Sequence, residues 1–235
     1  MTQNNSQSSL PPVLVPPVLA LDGPSGSGKG TIGQLCAHEF GWHYLDSGAI
    51  YRALAWTALN AKVAEDDVAG LVRLADAMQL ECLVRLGDVA QIIVNGVNAT
   101  DSLRTEDAGE MASKIAPISD VREALLKLQQ RSRKMPGLVA DGRDMGTVVF
   151  PDAQYKIYLT ASPEIRAKRR FDQLKSKGFD VNLARLKESI QARDVRDSNR
   201  EASPLKPADD ALSIDTSDLT IDEVVARIRD HVKQR

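Results

Sequence analysis

Nine consecutive residues, Gly23-Pro24-Ser25-Gly26-Ser27-Gly28-Lys29-Gly30-Thr31, leave a chain of this kind few folds to choose from. They stand directly behind the apolar run Val18-Leu19-Ala20-Leu21, so the order is strand, glycine-rich loop, helix, the context a P-loop requires. Glycines let the backbone curl until successive N–H groups point inward at phosphate oxygens, and the following helix adds its positive N-terminal dipole. Lys29 supplies a point charge for the β- and γ-phosphates. A bare glycine-rich stretch is often only a surface loop. G-x-x-x-x-G-K behind an apolar strand predicts instead a nucleoside triphosphate site.

The usual motif places Ser or Thr directly after the lysine, where its hydroxyl ligates magnesium. Here that place is Gly30, and the hydroxyl falls one residue later, at Thr31. The motif therefore does not assign a metal ligand. Mg2+ is expected mainly through ATP phosphates and water, with Thr31 and Asp141 as candidate contributors. The Gly-Lys-Gly-Thr ending resembles the nucleoside monophosphate kinases.

A chain of 235 residues, 43% of them hydrophobic, can bury a proper core and reads as one domain with inserted lobes. The net charge of −2 excludes a globally basic nucleic-acid binder. Cys36 and Cys82 lack metal-ligand spacing and read as small buried hydrophobes, while His38, His43 and His231 form no zinc pattern. Residues 1–17 are polar and then proline-rich, with no Lys or Arg before Lys29, which does not suit a secretory signal. They read as a disordered leader, with 18–235 as the folded domain. No stretch approaches the ~20 apolar residues of a membrane span. The expected location is cytoplasmic.

The further strand candidates are Trp42–Leu45, Leu138–Ala140, Tyr155–Leu159 and Leu212–Ile214, short and mostly apolar as in a parallel sheet buried on both faces. Helical patterns cover Thr31–Glu39, Ala49–Leu59, Val121–Lys134 and Ile221–Lys233. The last carries a core stripe of Ile221, Val224, Val225 and Ile228. This alternation predicts an α/β three-layer fold on a five-stranded parallel sheet. Residues 80–100 break the rhythm: Gly87-Asp88 and Asn95-Gly96 read as tight turns between antiparallel strands, and the small sheet they make reads as an inserted lobe. Residues 164–206 hold 12 Lys or Arg against 7 Asp or Glu. Such a run is commonly a solvated face. Its arginines favour polyphosphate contacts, because guanidinium pairs bidentately with phosphate.

Three further segments converge: Asp46-Ser47-Gly48-Ala49-Ile50-Tyr51-Arg52, Asp141-Gly142-Arg143-Asp144-Met145-Gly146, and Arg193-Asp194-Val195-Arg196-Asp197-Ser198-Asn199-Arg200. Together with the phosphate loop they closely resemble the bacterial cytidylate kinase family of P-loop proteins, over residues 18–232. The resemblance implies transfer of the γ-phosphoryl group of ATP to CMP or dCMP, giving ADP and CDP or dCDP. It implies that Arg52 and Arg143 grip the acceptor phosphate. Ser113, Arg122 and Asp144 match positions associated with the cytosine ring, and Asp197, Arg193 and Arg200 match positions associated with the nucleotide and its sugar. The inserted monophosphate lobe then covers about 62–115, and a basic lid about 163–178, in which Arg166 and Arg170 are assigned to ATP.

The residues are consistent with that chemistry. Ser47 can cap the helix carrying Arg52, as any Ser before a helical run can, and it counts among the acceptor residues. Cytosine offers a donor amino group beside two acceptors, so its pocket needs an acceptor such as Asp144 next to donors such as Arg122 and Ser113. Asp141 ends a buried strand, as the acidic residue of a second P-loop motif does; a loop-capping Asp is the plainer alternative. The phosphate oxygen of CMP is already ionised and needs no general base, so catalysis falls to neutralisation by Lys29, Arg143 and Arg193, with Asp141 at the metal. A lid is expected to exclude water. Other P-loop kinases acting on UMP or AMP remain alternatives, as does a non-catalytic nucleotide switch. A monomer acting on small molecules, without nucleic acid or membrane, is expected.

Overall fold

Val18, Ala20, Leu138 and Ala140 pack on one side of a central sheet, and Leu19, Leu21 and Val139 on the other. Side chains alternate across a strand, so strands covered on both faces must be apolar at nearly every position. That is why these runs were readable. The computed structural model describes residues 15–83, 91–176, 178–199 and 203–234.

The sheet contains β1 (Val18–Asp22), β2 (His43–Asp46), β6 (Leu138–Asp141), β7 (Tyr155–Thr160) and β8 (Leu212–Asp215). Their order is β2-β6-β1-β7-β8, with every pairing parallel. A second, antiparallel sheet joins β3 (Leu80–Leu83), β4 (Gln91–Val94) and β5 (Val97–Asn98). Asn95 and Gly96 link the last two with φ of 50° and 80°, the pair of positive values that a tight hairpin turn needs. The expected turn at Gly87-Asp88 lies outside the described residues.

Helices α1 (Lys29–Phe40) and α8 (Ile221–Lys233) cover one face. On the other lie α2 (Ser47–Ala61), α3 (Val68–Ala77), α4 (Glu106–Ile115) and α5 (Ser119–Gln130). Helix α5 stops short of the expected Lys134, because Arg133 turns away to donate to the Pro16 carbonyl at 2.7 Å and to Asp152 at 2.7 Å. Ile221, expected in the core, sits exposed in the first turn of α8. Cys36 is buried as expected, whereas Cys82 is exposed on the small sheet.

The range expected to form a lid is mostly helix α6 (Pro163–Lys175), packed against α7 (Leu183–Ser198). Its Arg166 and Ala167 are buried. No helix among the described residues is long and apolar enough to cross a membrane.

Candidate active site

The carboxyl edge of the parallel sheet gathers four chain segments, as the carboxyl ends of strands do in open α/β folds. The phosphate loop leaves β1 with Gly23, Gly26 and Gly28 at φ of 146°, 80° and 97°, and Gly28 begins α1. A Cβ on Gly23 would fall 1.9 Å from the Leu159 carbonyl oxygen, so only glycine lets the loop cross β7 this closely. Inside the loop Ser27 Oγ donates to the Pro24 carbonyl at 3.0 Å, and Lys29 Nζ to the same oxygen at 2.8 Å. The loop and its lysine thus form a closed, backbone-lined cradle whose N–H groups suit an anion.

Next to the cradle, β6 ends at Asp141 and β2 at Asp46, paired in register. Burial pushes the Lys29 ammonium below the ordinary lysine range, and the Asp141 charge works against that shift. Burial pushes the Asp141 carboxyl up; Lys29 pulls it down, and Asp46 adds to the rise. Tyr44 donates its hydroxyl to Asp141 Oδ2 at 3.1 Å.

Asp22, the last residue of β1, went unremarked in the sequence. Its two oxygens accept the backbone N–H groups of Met145 and Gly146, each at 2.8 Å, which anchors the loop after β6 to the root of the phosphate loop. Burial pushes its carboxyl up to about 6, outweighing those two hydrogen bonds. A carboxylate ending an otherwise apolar strand was the available signal.

Across the edge from the cradle, a narrow cleft is lined by Ser47, Arg52, Ser113, Arg122, Arg143, Asp144 and Arg193, among others. Arg122 pairs with Asp144, donates to the Ala116 carbonyl at 3.2 Å, and lies 5.9 Å from the Tyr51 ring centre. Ser113 is 7% exposed, and its Oγ has no hydrogen-bond partner among the described residues. A buried hydroxyl in that position has bonding capacity for a polar ligand. Arg143 donates to Asp197, and Arg193 lies 3.8 Å from the same carboxylate oxygen. Arg52 donates to the Leu103 carbonyl at 3.3 Å. Burial lowers its guanidinium from the usual value, and Asp46 opposes the shift. Nine residues separate Arg52 from Lys62 at the start of the inserted lobe, and α2 runs unbroken across all of them, with Arg52 lining the cleft.

Ser47 does not cap α2. Asp46 does, accepting the Ala49 N–H at 3.0 Å, which frees the Ser47 hydroxyl to donate to the buried Gln129 at 2.9 Å. The carboxylate one residue earlier is the better placed acceptor for the helix N-terminus. Gln129 carried no sequence signal beyond a helix position.

The two arginines assigned to ATP part company. Arg166 is buried beneath the phosphate loop: it donates to the Ser25 carbonyl at 3.1 Å and grips Asp194 with bonds of 3.0 and 2.5 Å. A Cβ on Gly26 would lie 3.1 Å from the Arg166 Cβ. Arg166 therefore buttresses the loop from behind. Arg170, one turn on, is exposed and donates to Gln173 at 2.8 Å. Thr31 is exposed on α1, and Arg200 lies outside the described residues. A larger cavity of about 340 Å³ opens between β2 and the small sheet, past His43, Glu81 and Lys134; none of the expected site residues lines it.

The profile of the cytidylate kinase family matches residues 19–234. The chain belongs to the cytidylate kinase family. It is 52% identical over 219 residues to the cytidylate kinase of Aeromonas salmonicida (strain A449), covering 93% of this chain and 95% of that one. It is 51% identical over 212 residues to the cytidylate kinase of Colwellia psychrerythraea, covering 90% and 94% of the two chains. The enzyme of that name from Methylococcus capsulatus is 52% identical over 209 residues, covering 89% and 93%.

Proposed function

We propose that this chain transfers the γ-phosphoryl group of ATP to CMP or dCMP, releasing ADP and CDP or dCDP. The observation that carries this reading is one cleft lined by Arg122 and Asp144, by the Ser113 hydroxyl, which has no partner among the described residues, and by the arginines Arg52, Arg143 and Arg193. Asp144 beside Arg122 and Ser113 offers an acceptor next to donors, which is what cytosine needs, and the arginines offer positive charge for a phosphate. Uracil would bring a carbonyl where the Asp144 carboxylate expects an amino group, a buried mismatch that discriminates strongly.

In the reaction a phosphate oxygen of CMP attacks the γ-phosphorus, the bond to the β–γ bridging oxygen breaks, and its electron pair leaves with ADP. The attacking oxygen is ionised near neutral pH, since the second pKa of a phosphate monoester is about 6, and needs no base. Lys29, Arg143 and Arg193 neutralise charge spread over the transferring group. Asp197 orients both arginines from beneath. Gly23 to Thr31 hold the triphosphate, and Arg166 supports that loop. Ser47 acts through Gln129 at the floor of the acceptor cleft.

Mg2+ fits the chemistry of the Asp141 carboxylate, which ends β6 beside Lys29, because this cation commonly takes one or two carboxylates and keeps water and phosphate oxygens as its other ligands. Asp141 is the carboxylate that would hold it, and when bound it would offset phosphate charge.

The inserted segment 62–115 serves as the monophosphate lobe, and the exposed face of α6, with Arg170, is the lid surface. The enzyme acts as a cytoplasmic monomer on free nucleotides; the net charge of −2, which gives no general field for nucleic acid, supports only the last of these. The test is product identity: incubation with ATP, Mg2+ and CMP, followed by chromatography, should yield CDP and ADP in equal amounts. ADP with free phosphate and no CDP would refute the reading.

A further inference from the structure

Most P-loops carry a hydroxyl directly after the lysine; this one carries Gly30. The space that a side chain at position 30 would enter is not vacant of donors. A Cβ there would point between Asp141 Oδ2, at 3.6 Å, and the Tyr44 hydroxyl, at 3.9 Å. That hydroxyl already donates to Asp141 Oδ2 at 3.1 Å. A serine hydroxyl on the same backbone would reach the same carboxylate oxygen and compete with the phenol.

The approach of Tyr44 is built into α1. A Cβ on Gly33 would fall 2.8 Å from the Tyr44 ring, so the ring lies in a slot that two glycines, Gly30 and Gly33, leave open on the helix. We infer that Tyr44 is a positioning residue: its hydroxyl, delivered from β2 through this slot, replaces the hydroxyl missing at position 30 and fixes the Asp141 carboxylate beside the phosphate cradle. One oxygen of Asp141 is then committed to Tyr44, and the other is left for the cation that accompanies the nucleotide. Partners of this kind set the orientation of a metal-facing carboxylate and typically change metal affinity about 10- to 100-fold when removed. The inference rests on the phosphotransfer reading only in taking Mg2+ with a nucleotide as the ligand.

The test measures ADP binding by calorimetry across a Mg2+ series, and again without metal. Tyr44→Phe keeps the ring in its slot and removes only the hydroxyl. It should raise the Mg2+ concentration needed for half-maximal enhancement of ADP binding about tenfold, while leaving metal-free ADP binding and CMP binding within about twofold of wild type. Adding Gly30→Ser to Tyr44→Phe should recover most of that loss, because the hydroxyl then comes from α1. An unchanged Mg2+ series for Tyr44→Phe would overturn the inference. So would an equal weakening of metal-free ADP binding, or a Tyr44→Phe protein that no longer folds, since either makes the hydroxyl structural. Absence of CMP-dependent turnover in wild type would sink the proposed activity instead, and the binding series would still read the role of Tyr44.

Discussion

Arg143 donates its Nε to the Asp197 carboxylate, tying the loop after β6 to the last turn of α7. Asp197 is 0% exposed, and Arg193 lies 3.8 Å from the same oxygen. One buried carboxylate thus aims two guanidiniums at the cleft. Removing one partner of a buried pair leaves uncompensated charge and typically costs 3–5 kcal/mol. Asp197→Ala is expected to lower the melting temperature clearly and to raise KM for CMP more than KM for ATP. Equal changes in both KM values would place Asp197 outside the acceptor site.

Arg52→Ala and Arg143→Ala each remove a guanidinium proposed to grip the acceptor phosphate, a charge-assisted contact worth about 1.5–3 kcal/mol. Each should reduce kcat/KM for CMP about 10- to 100-fold with ATP binding nearly unchanged. Titration of both substrates decides it, and parallel losses would show that these arginines do not distinguish acceptor from donor.

Lys29→Met should cost about 10²–10³ in turnover, the usual consequence of losing one preorganised charge at a transferring group. Burial disfavours the Lys29 ammonium, so an apolar side chain of similar length should leave stability intact or improved. A folded variant with near-normal turnover would take Lys29 out of the mechanism.

Asp22 predicts a pH dependence of stability. Its carboxyl is pushed up to about 6 from 3.8, with burial the largest cause. Between those values the folded state holds the proton more tightly than the unfolded chain, so this group's contribution falls as pH rises from 4 through 6. Asp22→Asn lacks the titration. Urea unfolding at pH 4 and pH 7.5 should show wild type losing up to about 3 kcal/mol relative to the variant on going to the higher pH. A difference independent of pH would mean that the Asp22 carboxyl is not perturbed by folding.

Much of the sheet is legible because its central strands are covered on both faces, which forces continuous apolar runs at β1 and β6. The Asn95-Gly96 turn was legible because few residues tolerate two successive positive φ values. What escaped were bonds closed across long stretches of chain. Ser47 meets Gln129 at a separation of 82 residues, Tyr44 meets Asp141 at 97, and Asp22 reaches Gly146 at 124. Asp22 stands out as a carboxylate ending an apolar strand, but nothing local names the partner of any of these groups. The basic segment misled in part for the same reason: composition sees Arg166 and Arg170 as equals. The fold buries the first against Asp194 of α7 and leaves the second in solvent. Gly30 stands out in the sequence as a departure from the motif, but Tyr44 reaches it from another strand, 14 residues on.

Phosphorylation of a cytosine monophosphate is read out by coupled ADP formation across an acceptor panel. With ATP and Mg2+ held constant, CMP and dCMP should each accelerate ADP release far above the acceptor-free rate. UMP should fall behind CMP by about 10²-fold or more in kcat/KM, as expected where a buried polar group is left unpaired. AMP should fall further, since its purine would have to enter a cleft closed by the Arg122–Asp144 pair. Slow hydrolysis indifferent to CMP, or equal use of UMP and CMP, would contradict the account.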